Sequence, residues 1–392
     1  MKQKVGIFTA IVLGMLTAFG PFVTDFYLPV MPEMADSLKT SPALVSLSLT
    51  TGMIGLAAGQ LFIGPLTDKY GRRNILVASM ILFTFASVMC VLTTDIYIFN
   101  AFRVVQGLGG AGGIVISRSM STDMFSGKEL ARFMAILSAI NGIAPVMAPV
   151  IGGVVSSFTS WRGVFVLLLA VGVILMVCSC FLRETLNPAL RVRSSLLSVY
   201  ANLFRVFRNP FFTLSMFAQM FCSFTFFAYI SSSPFILQDL YHLSSFHFSL
   251  CFGLNALMIG IGSGMTTLFH RQATALKCGA VDFIIGACLV AFCLLTHMSL
   301  VFLMFSYVFM MASFGLMQPV LTAVALDSER QNAGAASAIF GASGFVAGAL
   351  SSPLVSMGDI LVSSSAVIFL GALGSLLMEL YLVKRMRIAN LK

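Results

Sequence analysis

The sequence has few charged residues and no pattern typical of a metal site or a disulfide framework. Charged side chains make up 9% of its 392 residues, against roughly 25% in an average soluble domain. The eight cysteines lack paired ligand spacing, and the four histidines stand far apart in the sequence. No phosphate-binding loop occurs, which excludes ATP as the direct energy source. We therefore expect no metal, no cofactor and no enzymatic activity.

Apolar residues dominate the composition instead. Hydrophobic types account for 58% of the chain, which includes 37 Phe and 33 Gly. Glycine is frequent in membrane helices because it lets packed backbones approach closely. The formal charge of +9 would suit a nucleic-acid partner, but the basic residues are distributed as expected beside a lipid bilayer. The composition thus indicates a membrane protein without a nucleic-acid partner.

The apolar residues form long stretches. A spanning helix needs about 20 mainly apolar residues, and about twelve stretches qualify: 5–30, 43–65, 74–94, 96–119, 131–157, 162–182, 210–238, 246–269, 279–297, 299–326, 331–357 and 359–383. We predict an all-α membrane protein, with twelve transmembrane helices in two pseudo-symmetric six-helix bundles. The bundles comprise residues 1–182 and 210–392, and a cytoplasmic linker, 183–209, joins them. The first stretch is too long for a secretory signal, so we expect an uncleaved first helix.

Lysine and arginine concentrate on one side of the predicted spans. With both termini in the cytoplasm, 20 of the 23 basic residues fall on the cytoplasmic side. Lys39 and Arg162 face outward, and Arg103 lies within a span. Because cytoplasmic loops retain Lys and Arg, we predict a multi-pass protein of a bacterial inner membrane with both termini cytoplasmic. Two halves around a basic linker also suit a secondary transporter, whose substrate binds between halves near mid-membrane.

Two ionisable residues lie deep in predicted helices. Asp25 and Arg103 are about 8 and 10 Å below the outer surface at 1.5 Å per residue, and such groups are functional candidates by default. They either neutralise each other as a buried pair that fixes packing, or Asp25 carries protons while Arg103 modulates it. Two further acids, Asp282 and Glu379, lie near predicted cytoplasmic helix ends, where capping or snorkelling explains them.

A Gly-rich charged run follows predicted helix 2 on the cytoplasmic side. It reads Gly64-Pro65-Leu66-Thr67-Asp68-Lys69-Tyr70-Gly71-Arg72-Arg73. Its acid can face a helix N-terminus and its arginines can pair with acids, for which the candidates are Asp327 and Glu329. The run resembles the signature loop of the major facilitator superfamily, Gly-x-Leu-x-Asp-x-x-Gly-Arg-Arg/Lys, and this resemblance implies a cytoplasmic gate. The gate residues are then Gly64, Asp68, Gly71, Arg72 and Arg73.

Three more stretches resemble the bicyclomycin-resistance (Bcr/CflA) branch of the drug:proton antiporters. They are Thr24-Asp25-Phe26-Tyr27-Leu28-Pro29-Val30-Met31-Pro32, Arg103-Val104-Val105-Gln106-Gly107 and Asn141-Gly142-Ile143-Ala144-Pro145-Val146-Met147-Ala148-Pro149-Val150-Ile151-Gly152-Gly153. The resemblance implies that Asp25 is the coupling carboxylate and that Arg103 serves proton transfer. It also implies an antiporter motif in helix 5, formed by Pro145, Pro149, Gly152 and Gly153. The motif departs at Ala148, where the branch has Gly.

The resemblance extends more weakly into the second half, at 227–235 and 334–338. It implies proton-coupled export of small amphipathic antibiotics, such as bicyclomycin-like, phenicol or sulfonamide compounds, by a monomer. Proton-driven uptake of a nutrient or metabolite is the main alternative within transport, since it shares the fold and the signature loop. A non-transporting membrane receptor or assembly factor is the alternative of a different class, but it would not need Asp25 and Arg103 together. An apolar cavity with a few polar groups is the expected binding site, and its candidates are Tyr27, Gln106, Phe226, Tyr229, Asn255 and Gln318.

Overall fold

The computed structural model describes residues 7–191, 200 and 203–388, and these residues fold into helices. In the first half the α-helices are α1 (Ile7–Thr17), α2 (Phe19–Thr24), α3 (Met31–Ser37), α4 (Pro42–Tyr70), α5 (Arg72–Leu92), α6 (Ile96–Met124), α7 (Gly127–Ser156) and α8 (Trp161–Phe181). In the second half they are α9 (Pro210–Phe235), α10 (Ser245–Met265), α11 (Gln272–Leu295), α12 (Leu300–Ser328), α13 (Ala333–Leu354) and α14 (Ile360–Ile388). The basic residues Lys2, Lys4, Arg193 and Lys392 lie outside the described residues.

The backbone forms two compact units, Met1–Ala201 (unit 1) and Asn202–Lys392 (unit 2). The boundary falls within the predicted linker 183–209, of which residues 192–199, 201 and 202 are outside the described part. Unit 1 contains α1 to α8 and unit 2 contains α9 to α14.

Helix length supports twelve membrane spans, and composition supports up to eleven of them. Ten described helices are long and apolar enough to cross a bilayer, and the bent segment Ile7–Ser37 makes an eleventh. Helix α6 has 29 residues, or about 43 Å at 1.5 Å per residue, against a hydrocarbon core of about 30 Å. Its glycines and its buried Arg103 and Gln106 lower its average hydropathy, although its length suffices. With α6, and with α1 to α3 counted as one bent span, the fold has the twelve membrane spans that the sequence predicts.

The prediction of one continuous first helix over residues 5–30 is wrong. The segment bends by 46° between Ile7–Thr17 and Phe19–Ser37. Pro21 has no N–H to donate to the carbonyl of Thr17, so the helical ladder is interrupted at this turn. Helix α2 ends at Thr24, and the chain continues as a 3₁₀ turn, Leu28–Val30. We call residues 25–27, between α2 and this turn, the break. Asp25 is consequently at a helix end, where backbone groups lack helical partners, and not inside a helix.

Glycines bring α4 and α6 into backbone contact. A methyl group on Gly55 would lie 2.1 Å from the carbonyl oxygen of Val104, and one on Gly107 would lie 2.2 Å from that of Gly52. Since lipid gives helices no hydrophobic reason to associate, such close packing is what holds them together. In unit 2, Gly262 and Gly315 bring α10 and α12 together in the same way.

Candidate functional site

The acid predicted to carry protons is buried at the end of α2. Asp25 is 4% exposed, and its backbone N–H donates to the carbonyl of Pro21 (2.7 Å). Its side-chain Oδ1 is buried and has no hydrogen-bond partner among the described residues. A buried polar atom without a partner is unusual in a folded protein and calls for an explanation. The break in the first helix thus delivers a buried carboxyl group that forms no ion pair with a described residue.

Arg103, on α6, is completely buried beside the same break. It donates from Nη2 to the carbonyl of Val23, from Nη1 to Oε1 of Gln106 and from Nε to the carbonyl of Ser48 (3.4 Å). Its guanidinium carbon also lies 4.5 Å from the centre of the Tyr27 ring, which is a favourable cation–π arrangement. The cation is therefore stabilised by neutral groups.

Asp25 and Arg103 are neighbours through the backbone but do not form an ion pair. No carboxylate among the described residues lies within 4.0 Å of the Arg103 guanidinium. The interpretation that the two residues neutralise each other as a buried pair is therefore wrong for this structure. Instead, Arg103 binds the carbonyl of Val23, which the break leaves without a helical partner.

Tyr27 and Gln106, predicted to contact substrate, hold this arrangement in place. Both are fully buried. The Tyr27 hydroxyl hydrogen-bonds with Ser48 Oγ (2.8 Å), and the Gln106 amide nitrogen donates to Ser87 Oγ (2.8 Å). Each side chain thus connects Arg103 to another helix of unit 1, and its contacts are those of a positioning residue.

The antiporter-motif helix α7 packs directly on the break. It stays helical through Pro145 and Pro149. A methyl group on Gly152 would lie 2.0 Å from the carbonyl oxygen of Phe26, the residue after Asp25. Gly153 is buried next to it. The structure thus identifies the segment against which this motif packs.

The signature run lies at a helix junction, which differs from the predicted loop. Residues 64–70 form the last two turns of α4, and only Gly71 separates α4 from α5. Gly71 has φ +97°, a conformation that side-chain-bearing residues rarely adopt. The run therefore makes one sharp corner between two helices.

The arginines of this corner bind acids of unit 1. Arg72 pairs with Asp68 and, through Nε, with Asp123 (3.0 Å). Glu184 accepts the backbone N–H groups of Arg72 (3.0 Å) and Arg73 (3.3 Å), which lack helical partners at the start of α5. The expected partners Asp327 and Glu329 have neighbours of their own, since Asp327 pairs with Arg330 and Glu329 accepts from Asn332.

The unit 2 candidates form an aromatic and amide group. The Asn255 amide nitrogen donates to the Tyr229 hydroxyl (2.8 Å), and both residues are about 1% exposed. Phe226 stacks on Phe314 with ring centres 4.7 Å apart. Phe226 and Gln318 are half-buried, so they are the candidates of unit 2 that keep accessible surface.

Glu379 was misjudged from the sequence. The prediction of a helix end near residue 383 placed it where snorkelling explains an acid, but α14 continues to Ile388. Glu379 is completely buried and accepts hydrogen bonds from Cys222 and Ser375. Asp282 likewise lies well inside α11, which begins at Gln272 instead of the predicted residue 279.

Several partners of the site could not be chosen from the sequence. Ser48 and Ser87 are two serines among many in apolar helices, and the carbonyl of Val23 becomes available only through the break. Asp123 and Glu184 carried a weak signal, because each is an acid close to the cytoplasmic end of a predicted helix.

Comparisons with known proteins identify the family and the fold. Residues 10–352 match the family model of the Major Facilitator Superfamily. An uncharacterized MFS-type transporter of Bacillus subtilis, YdgK, is 33% identical over 383 residues, which cover 96% of this chain and 95% of YdgK. A bicyclomycin resistance protein homolog of Haemophilus influenzae is 28% identical over 359 residues, which cover 90% of each chain.

The fold is also that of solved transporters. A partially occluded inward open structure of the xylose transporter XylE from E. coli superposes with a TM-score of 0.72 and covers 96% of this chain and 97% of its own. Sequence identity to it is 13%, so this likeness concerns the fold alone.

Proposed function

The chain belongs to the Major Facilitator Superfamily, and we propose that it exports small amphipathic drugs in exchange for protons. The sequence motifs and the similarity to a bicyclomycin resistance protein homolog support drug export. The distribution of Lys and Arg supports an orientation with both termini cytoplasmic, and the bacterial relatives support a location in a bacterial inner membrane. Transporters of this fold alternate access by moving one bundle against the other, which a monomer can do.

The state of Asp25 carries the proposal. Its carboxyl group is buried, its Oδ1 has no partner, and no arginine or lysine of the described residues pairs with it. Burial favours the neutral form of an acid, whereas a nearby cation favours the ionised form. Arg103 is near the break but engaged with Val23 and Gln106. A movement of the break relative to α6 would change that balance and so load or release a proton.

The position of Asp25 also explains how proton binding is coupled to drug binding. A bound drug that hydrogen-bonds to Asp25, or brings a positive charge near it, competes with the proton for the carboxylate. Phe226 and Gln318 offer the half-exposed aromatic and amide surface that suits direct drug contact. Tyr27 and Gln106 position Arg103 within unit 1, and Asn255 binds Tyr229 within unit 2, all from buried sites.

The charged corner at Gly71 is the proposed cytoplasmic gate. Arg72 and Arg73 are bound by acids from the ends of two other segments, Asp123 on α6 and Glu184 after α8. Charge-assisted hydrogen bonds of this kind are strong and directional. Their exchange for other partners would give the corner two discrete arrangements, as a gate requires.

The test is the substitution Asp25→Asn in proteoliposomes with an imposed pH gradient. Asn keeps the shape of the side chain but cannot bind a proton, so we expect gradient-driven drug efflux and the accompanying proton uptake to be lost. Asp36→Asn is the matched control, because Asp36 is exposed on α3.

Bicyclomycin, chloramphenicol and a sulfonamide serve as drugs, chosen by a susceptibility panel in a pump-deficient host. Unchanged flux and proton movement in Asp25→Asn would refute the proposal. Drug or nutrient entering together with protons would favour uptake.

A further inference from the structure

Unit 2 contains a buried acid that the proposed antiport does not use. Glu379, on α14, has no exposed surface and lies nine residues, or about 13 Å, before Ile388. Its Oε1 accepts hydrogen bonds from Cys222 Sγ (3.2 Å) on α9 and from Ser375 Oγ (3.1 Å) one turn earlier on α14. Cys222 Sγ and Ser375 Oγ are themselves 3.0 Å apart. The three side chains therefore form one compact polar cluster.

No positive charge balances this acid among the described residues. The helices packed against α14 are α9, α11 and α13, and their titratable side chains are Cys222, Tyr229, Lys277, Cys278, Asp282, Cys288 and Cys293. Of these, only the Cys222 thiol is within hydrogen-bonding or ion-pair distance of Glu379. On α14 itself, Arg385 donates to the Tyr381 hydroxyl. An ionised Glu379 would thus be a buried charge without a counterion, which costs several kcal/mol.

The hydrogen-bond pattern fits the neutral acid. Oε1 accepts two hydrogen bonds, as the carbonyl oxygen of a carboxylic acid can, while Oε2 is buried and has no partner in the described part of the chain. A carboxylate would carry negative charge on both oxygens, and its Oε2 would then be desolvated without a donor. With the proton on Oε2, only a neutral hydroxyl is buried there.

We infer that Glu379, Cys222 and Ser375 form a second proton-binding site, in unit 2, that holds one proton in this conformation. The site is separate from Asp25 in sequence, in helix and in unit. Gln219, one turn before Cys222 on α9, has an amide oxygen with no partner among the described residues and donates to Ser223 (3.2 Å). It provides a polar group on the side of the cluster toward the start of α9.

Infrared spectroscopy of the purified, reconstituted carrier tests the bound proton without any transport assay. The wild-type spectrum near neutral pH should contain a carboxylic-acid C=O band that shifts in D₂O and is lost in Glu379→Gln. Asp282→Asn is the control and should retain this band. If Glu379→Gln removes no such band, Glu379 is ionised and the inference is wrong.

A second variant keeps the test valid if Glu379→Gln folds poorly. Ser375→Ala retains the acid but removes one donor to Oε1, so the same C=O band should move to higher frequency because its hydrogen bonding weakens. A band at the wild-type position in Ser375→Ala would contradict the assignment. Thermal unfolding of each variant reports whether it is folded.

Exchange of this proton during transport rests on the proposed antiport and is measured separately. Protons released from the purified carrier on adding drug should fall by about one half in Glu379→Gln, because an amide binds no proton. Release equal to wild type would overturn exchange at this site. If the wild-type protein itself releases no protons, the proposed antiport fails, while the infrared result still decides whether Glu379 is protonated.

Discussion

The first membrane span of each unit, the bent segment Ile7–Ser37 in unit 1 and α9 in unit 2, contains a proline toward its end. The two spans differ in charge. In unit 1, Asp25 stands four residues before Pro29, whereas in unit 2 the residue four before Pro234 is Ile230. The fourth spans of the two units, α6 and α12, differ in the same way. The eighth residue of α6 is Arg103, and the eighth of α12 is Tyr307. All four residues compared are buried.

Both units place an aromatic ring of the first span against that eighth residue. Tyr27 lies 4.5 Å from the Arg103 guanidinium, and Tyr229 lies 4.8 Å, centre to centre, from the Tyr307 ring. Unit 2 thus keeps the packing of unit 1 and replaces its charged groups with neutral ones. Charged groups inside a membrane are expensive and persist where they have a function. The comparison therefore places the buried charged residues near the first span in unit 1, whereas the buried acid of unit 2, Glu379, lies in α14.

Among the variants that test this comparison, removal of the Arg103 side chain should have the largest effect on efflux and stability. Arg103→Ala leaves Gln106 Oε1 and the carbonyl of Val23 without a donor, at about 1–3 kcal/mol for each buried group left unsatisfied. We expect loss of efflux and a clear drop in the midpoint of thermal unfolding in detergent. Arg385→Ala, at an exposed position of α14, should change neither. Wild-type efflux in Arg103→Ala would show that the charge of unit 1 is dispensable.

A smaller effect is expected where α7 meets the break. Gly152→Ala places a methyl group against the carbonyl of Phe26, and overpacking of this kind costs typically 1–3 kcal/mol. Because that peptide follows Asp25, efflux should fall several-fold while the protein stays folded. Gly142→Ala is the matched control in the same motif, since nothing lies within 4 Å of the added atom. Equal efflux by the two variants would mean that α7 does not position the break.

The smallest effects separate the two tyrosines of unit 2. Tyr229→Phe removes the acceptor of the Asn255 amide, which should lower stability by about 1 kcal/mol. Tyr307→Phe removes a hydroxyl without a hydrogen-bond partner among the described residues, so stability should stay the same or rise slightly. Thermal unfolding of both variants compares them directly. A larger loss in Tyr307→Phe would contradict the neutral packing described for this unit.

The sequence by itself determined the number of helices, their bundling in two sets and the residues worth testing. Hydropathy over about 20 residues is a local sum, and Asp25 and Arg103 are conspicuous because charge is rare in these stretches. The positions of the helix ends were harder to predict from the sequence. Polar residues such as those of 64–70 continue α4, since a helix can extend beyond the bilayer without an apolar sequence.

Only the tertiary structure decided which partners these residues have. Arg103 binds carbonyls and an amide instead of Asp25, because the end of α2 at Thr24 frees a backbone acceptor, the carbonyl of Val23, that no composition rule predicts. Glu379 is buried because α9, α11 and α13 pack around α14 beyond the predicted helix end. Burial and hydrogen bonding depend on side chains that are distant in sequence, such as Cys222 and Glu379, and therefore emerge only when the helices are assembled.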